Sequence, residues 1–125
     1  MCPRINKSSV EDIESYTTKD NSLIRELMHP SKHGCVNQSL AEAIICKGEK
    51  TQLHRHQNSE EFYHITQGEG RMALGAQEFN VIVGDTVFIP PGTPHCIENI
   101  SDEPLKILCC CSPPYSHDDT ELLEL

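Results

Sequence analysis

Glycine and proline clusters cut this chain into short pieces at near-regular intervals, and that punctuation limits its fold more than any other feature. They fall at residues 47–50, 68–70, 75, 84–85, 90–94, 101–104 and 112–114. Between them lie QSLAEAIIC, TQLHRH, EEFYHITQ, RMALG, QEFNVIV, DTVFIP, HCIENI and LKILCCCS, rich in β-branched and aromatic residues. Turn signals every 8–12 residues or so predict an all-β sandwich or barrel rather than a helical domain. Helical candidates are confined to Ser9–Tyr16 and the tail after Thr120. At 125 residues the chain has the length of one domain with one sizeable core.

One segment, TQLHRHQNSEEFYHITQGEG (residues 51–70), crowds imidazoles and carboxylates onto an alternating pattern. Residues i and i+2 of a strand share a face. His54 and His56 therefore point one way and Arg55 the other. In EEFYHITQ, Glu61, Tyr63, Ile65 and Gln67 share one face, and Glu60, Phe62, His64 and Thr66 the other. Glu61 can thus join the two histidines across a hairpin loop; Glu60 is the rival carboxylate. PPGTPHCIEN supplies a third imidazole, His95, at the start of a strand behind a turn stiffened by prolines. The same residues without an ion would be ordinary hydrogen-bonded or surface histidines. His29, His33, His64 and His117 read as surface residues of that kind.

Spacing adds specificity. Gly48, His54, His56, Glu61 and Gly68 are separated by five, one, four and six residues; Gly84, Pro90, Gly92, His95 and Asn99 by five, one, two and three. Both patterns resemble the two signature motifs of the cupin superfamily at every position. IRELMHP, NQSLAEAII and LKILCCCSPPYSHDDT further resemble small single-domain cupins of bacteria and archaea. The resemblance implies a double-stranded β-helix, or jelly-roll barrel. Its expected extent is residues 37–114, after an N-terminal extension (1–36) that packs on the barrel or a dimer partner, and before a tail (115–125). It also implies one divalent transition metal ion (Mn, Fe, Ni, Zn or Cu) held by His54, His56, Glu61 and His95. Asn99 is expected to bond loop backbone. Side chains expected beside the ligands are Tyr63 and Gln67, on the Glu61 face, and Gln52, on the His54 face. Arg25 and Arg71 are candidate anion-binding cations.

Neutral imidazoles and one carboxylate would leave a divalent site with net charge +1, which favours small anionic oxygen ligands. Three functional readings stay open: an oxalate-decarboxylase-like, lyase or isomerase metalloenzyme; an Fe- or Cu-dependent dioxygenase; or a non-catalytic binding or sensor module. Known oxalate decarboxylases resemble a tandem of two such domains, whereas this chain carries one pair of motifs. A net charge of −9 disfavours nucleic acid and anionic membrane as partners. No apolar run approaches the roughly 18 residues of a membrane helix. The adjacent Cys109, Cys110 and Cys111 do not read as a disulfide framework, since neighbours on a strand face opposite ways. They are expected to act as small apolar residues and not as metal ligands. With the polar N-terminus, this predicts a cytoplasmic protein. Edge strands in need of cover predict a homodimer.

Overall fold

The computed structural model describes residues 6–124. Two antiparallel sheets face each other. The first runs, in spatial order, β1 (Tyr16–Thr17), β2 (Leu23–Met28), β3 (Ser39–Ile45), β10 (Leu105–Ser112), β5 (Glu60–Gln67) and β8 (Thr86–Ile89). The second runs β11 (Thr120–Leu122), β4 (His54–His56), β9 (His95–Asn99), β6 (Gly70–Leu74) and β7 (Gln77–Val81). This is the all-β architecture that the turn spacing predicts, in the jelly-roll arrangement that the cupin resemblance implies.

Alternation drives the burial. In β10, Leu105, Ile107, Cys109 and Cys111 are buried, and Lys106, Leu108 and Cys110 lie on the other face. In β5, Glu61, Tyr63 and Ile65 point inward while Glu60 and Phe62 are exposed. Between the sheets, Ile65, Met72, Ile97, Leu105 and Ile107 are essentially shielded from solvent. Each such side chain stabilises the fold by roughly 1.5–3 kcal/mol relative to exposure. The core runs up to a cavity with a partly polar lining, and Ile24, Ala41, Ala43, Tyr63 and Cys109 belong to both.

Asn99 ties the loops at the core end. Its amide donates to the carbonyls of Ile45 and Glu103 at 3.0 and 2.8 Å, and its oxygen accepts from the Ser101 N–H at 2.9 Å. The expected helix at Ser9–Tyr16 is instead a 3₁₀ turn, Val10–Asp12, leading into β1. The tail after Thr120 is a strand: β11 finds a ready edge in β4, pairing Thr120 with His56 and Leu122 with His54. Residues before 37 supply β1 and β2, the latter paired along β3. The chain's two flanks therefore both enter the sheets. Among the described residues, no helix is long and apolar enough to cross a membrane.

Candidate metal centre

Three strands carry the polar end. β4 turns His54 and His56 inward and Arg55 outward, where its guanidinium meets Glu121 at 2.9 Å. β9 opens with His95, in register with His54. β5 brings Glu61 across from the opposite sheet. All four side chains are buried, and the three histidines each present a ring nitrogen within 4.8 Å of the others. Glu61 Oε1 lies 3.2 Å from His56 Nε2 and 3.5 Å from His95 Nε2. Ligands about 2.1 Å from one ion and at right angles to each other sit about 3 Å apart, so this spacing suits a shared cation.

Hydrogen bonds on the far side of each ring fix which nitrogen faces inward. Nδ1 of His54 lies 2.7 Å from the Gln52 carbonyl and Nδ1 of His95 lies 2.9 Å from the Thr93 carbonyl. A carbonyl only accepts, so both Nδ1 atoms carry the proton and both Nε2 atoms are left with a lone pair. His56 Nδ1 meets Thr120 Oγ1 at 3.0 Å, and that hydroxyl gives its own proton to the Ser116 carbonyl at 2.9 Å. His56 therefore donates through Nδ1 as well. Metal-bound imidazoles are oriented by outer partners of this sort. His95 Nε2 and Glu61 Oε1 are buried with no hydrogen-bond partner among the described residues. Acceptors facing acceptors at this depth call for a cation between them.

The ionisation of the group fits that need. Burial, together with the charge of His95, pushes His54 down to about 4, which keeps its lone pair free. Burial works against the charged form of Glu61, but the His56 and His95 imidazoles beside its Oε1 outweigh it and pull the carboxyl down to about 2. His56 moves up from its ordinary value: burial opposes the charge, and the bond to Glu61 overcomes it. A proton on His56 thus competes with a metal ion.

A further carboxylate stands at the same point. Asp20 Oδ2 is 3.3 Å from His54 Nε2. Its Oδ1 is held by the Thr18 hydroxyl at 2.6 Å, the Ser22 hydroxyl at 2.7 Å and the Ser22 N–H at 3.0 Å. A small cavity of about 40 Å³ opens beside the histidines and is lined also by Glu26, Tyr63 and Tyr115. The thiols of Cys109 and Cys111 line it too; burial, then the charge of Glu61, pushes both well up. Cys111 Sγ donates to Glu61 Oε2 at 3.3 Å. Cys111 is thus a protonated thiol supporting a carboxylate, while the Cys109 thiol turns to the Ile107 carbonyl at 3.9 Å.

Several sequence expectations change here. Tyr63 does sit beside the site, edge-on to His95 with ring centroids 5.9 Å apart. Gln67 does not: it lies at the far end of β5 and bonds the Pro104 carbonyl at 3.0 Å. Gln52 is exposed, and only its main-chain carbonyl reaches the centre, through His54. Arg25 turns to the outer face toward Ile13 and Glu42, and Arg71 toward Asn80 and Glu78. Neither lines the cavity. Glu60 is exposed on the outer face. His64 bonds Thr86, and His29, His33 and His117 stand apart from the cavity lining. Asp20, Glu26, Tyr115 and Thr120 carry no motif; the topology alone brings them in.

A family model described as the cupin domain matches residues 41–111. An uncharacterized protein of Methanocaldococcus jannaschii is 57% identical over 97% of this chain and 97% of its own length. The oxalate-binding protein of Thermotoga maritima is 33% identical over 69% of this chain and 67% of its own. Among solved structures, the oxalate decarboxylase of Bacillus subtilis, described for its Mn(II) centres, superposes with a TM-score of 0.78 at 23% identity. That likeness covers 91% of this chain but only 31% of the decarboxylase, so it speaks to the fold.

Proposed function

The chain belongs to the cupin family, and from that premise we propose that it is a small metalloenzyme in which His54, His56, Glu61 and His95 hold one divalent transition metal ion. The observation that carries the reading is the convergence of the three histidine ring nitrogens within 4.8 Å of one another, with Nε2 of His56 and of His95 at 3.2 and 3.5 Å from the unpartnered Glu61 Oε1. Mn heads the candidate metals, since the Bacillus subtilis fold neighbour is described for its Mn(II) centres; Fe, Ni, Zn and Cu suit the same donors.

A divalent ion there would polarise a carbonyl or carboxylate oxygen of a bound molecule. The chain's own residues do the rest. Gln52, Thr93 and Thr120 fix the tautomers. Cys111 orients Glu61. The cavity limits the ligand to a small molecule, and the Tyr63 ring walls it against water. Decarboxylation, elimination or isomerisation of a small oxygen-bearing anion all draw on such a site. The name of the Thermotoga maritima relative favours a second reading, a module that binds such an anion without turning it over.

Elemental analysis of protein purified without chelator, followed by turnover assays on a panel of small carboxylates and hydroxy acids with and without oxygen, tests both. Bound metal with turnover supports the enzyme; turnover that consumes oxygen points to a dioxygenase. Bound metal with saturable binding and no turnover supports the module. Absence of metal after reconstitution overturns both.

The reading includes a homodimer. Phe62 and Phe88 are 49% and 48% exposed on the outer face of the first sheet, their rings 5.8 Å apart. A second copy of the chain is the proposed cover. Sedimentation should give a dimer that Phe62→Glu converts to monomer; a monomeric wild type would refute it.

A further inference from the structure

Glu26 is a buried carboxylate with half of its bonding capacity unspent. It lies on β2 opposite Ala41, is 8% exposed, and lines the same cavity as His54, His56 and Glu61. The Tyr16 hydroxyl donates to its Oε1 at 2.6 Å. Its Oε2 has no hydrogen-bond partner among the described residues. Tyr16 has one proton and has already given it to Oε1, so it cannot serve Oε2. An unpaired carboxylate oxygen at this depth is costly, and only a donor brought into the cavity can relieve it.

The charge around Glu26 narrows the donor. Asp20, Glu26 and Glu61 all line the cavity, and among the described residues no Lys or Arg does. A divalent cation carries two positive charges against three carboxylates. The local sum is −1, not the +1 that the ligand set alone implies. A second carboxylate on the bound molecule would face Asp20 and Glu26 with no cation left to answer it. A hydroxyl in the same place would donate to Glu26 Oε2.

We infer that Glu26 is the ligand-facing acceptor of this site, and that the cavity selects small hydroxyl-bearing molecules of at most one negative charge, such as α-hydroxy acids, over dicarboxylates. The inference rests on the metal-site reading above and narrows its substrate class.

Oxalate and glycolate make a matched pair. They are nearly equal in size and both chelate; one ends in a second carboxylate and the other in a hydroxyl. In water the dianion is the stronger partner for a divalent ion, so a reversed order is a property of the cavity. Protein reconstituted with Mn²⁺, its metal content measured first, is titrated with each anion by calorimetry and by the Mn(II) electron paramagnetic resonance line shape. Glycolate should bind at least tenfold more tightly than oxalate. Glu26→Gln, which exchanges an acceptor and its charge for a neutral amide, should shift that ratio at least tenfold toward oxalate with Mn content unchanged. Oxalate binding as tightly as glycolate in the wild type overturns the inference while leaving the metal site standing. An unchanged ratio in a folded, Mn-loaded Glu26→Gln variant overturns it too. If the variant does not fold, the wild-type ratio decides. Failure to take up Mn²⁺ or any other divalent ion overturns the metal site itself, and the inference with it.

Discussion

Glu60 and Glu61 are adjacent residues with opposite fates, because strand parity sends one to solvent and the other into the centre. Glu61→Ala should lower metal affinity by about tenfold or more, whereas Glu60→Ala should leave metal content unchanged, as read by elemental analysis after dialysis. Thr120 is a subtler case, since it touches the site only through the His56 Nδ1–H. Thr120→Val should cost about ten- to a hundredfold in metal affinity by freeing that ring. The chelated protein should also show a pH signature. His54 sits at about 4 when folded and at the ordinary imidazole value of about 6.5 when unfolded. Between those values the unfolded chain binds more protons, so stability falls as pH drops from 6.5 to 4, on the order of 3 kcal/mol. Glu61, held down at about 2 from 4.5, adds a further loss only at lower pH, from about 4.5 toward 2. His56 has the opposite sign: its raised value contributes below 6.5, and the contribution is lost as pH rises through the folded value. Thermal melts of chelator-treated protein should therefore peak near pH 6.5. A flat profile from 6.5 to 4 would contradict the burial of a neutral His54.

At the scale of elements, the turns are as selective as the strands. Gly68 closes β5 onto β6 with φ of +83°, and a Cβ there would lie 3.1 Å from both the Leu105 Cα and the Pro104 oxygen. Gly68→Ala should cost about 1–3 kcal/mol in chemical denaturation, combining backbone strain with a clash against main chain. Gly48, with φ of +78° and nothing within 4 Å, should lose only the conformational part, about 1–2 kcal/mol. These turns, and the alternating strands between them, were legible because Gly, Pro and period-two burial are local signals. β11 was not, since TEL becomes a strand only because β4 offers it an edge. Nor was the short β1, which depends on β2. The four motif residues could be read as a group for the same local reason. Asp20 and Glu26 could not, because no spacing in sequence records that β2 lies along β3 and over the cavity. Gln67 misled through correct parity: it shares the face of Glu61 but sits too far along the strand to share its site.

For the molecule as a whole, the apolar core abuts the polar centre, sharing Ile24, Ala41, Ala43, Tyr63 and Cys109 with the cavity lining, and runs on through Ile65, Met72, Ile97, Leu105 and Ile107, none of which lines it; that second part is expected to hold the fold without a metal. An ion present at 100 times its Kd adds about 2.7 kcal/mol. Chelation should then lower the melting temperature by about 10 °C for a domain of this size while far-ultraviolet circular dichroism keeps its β signature. Outright unfolding on chelation, as in small zinc modules, would mean that the core does not stand alone.

The bond between His56 and Thr120 spans 64 residues. In chain order His54, His56, Glu61 and His95 all precede β11. Until β11 docks on β4, His56 lacks the partner that sets its tautomer. The ring orientation of the proposed metal centre is therefore complete only once β11 has docked on β4.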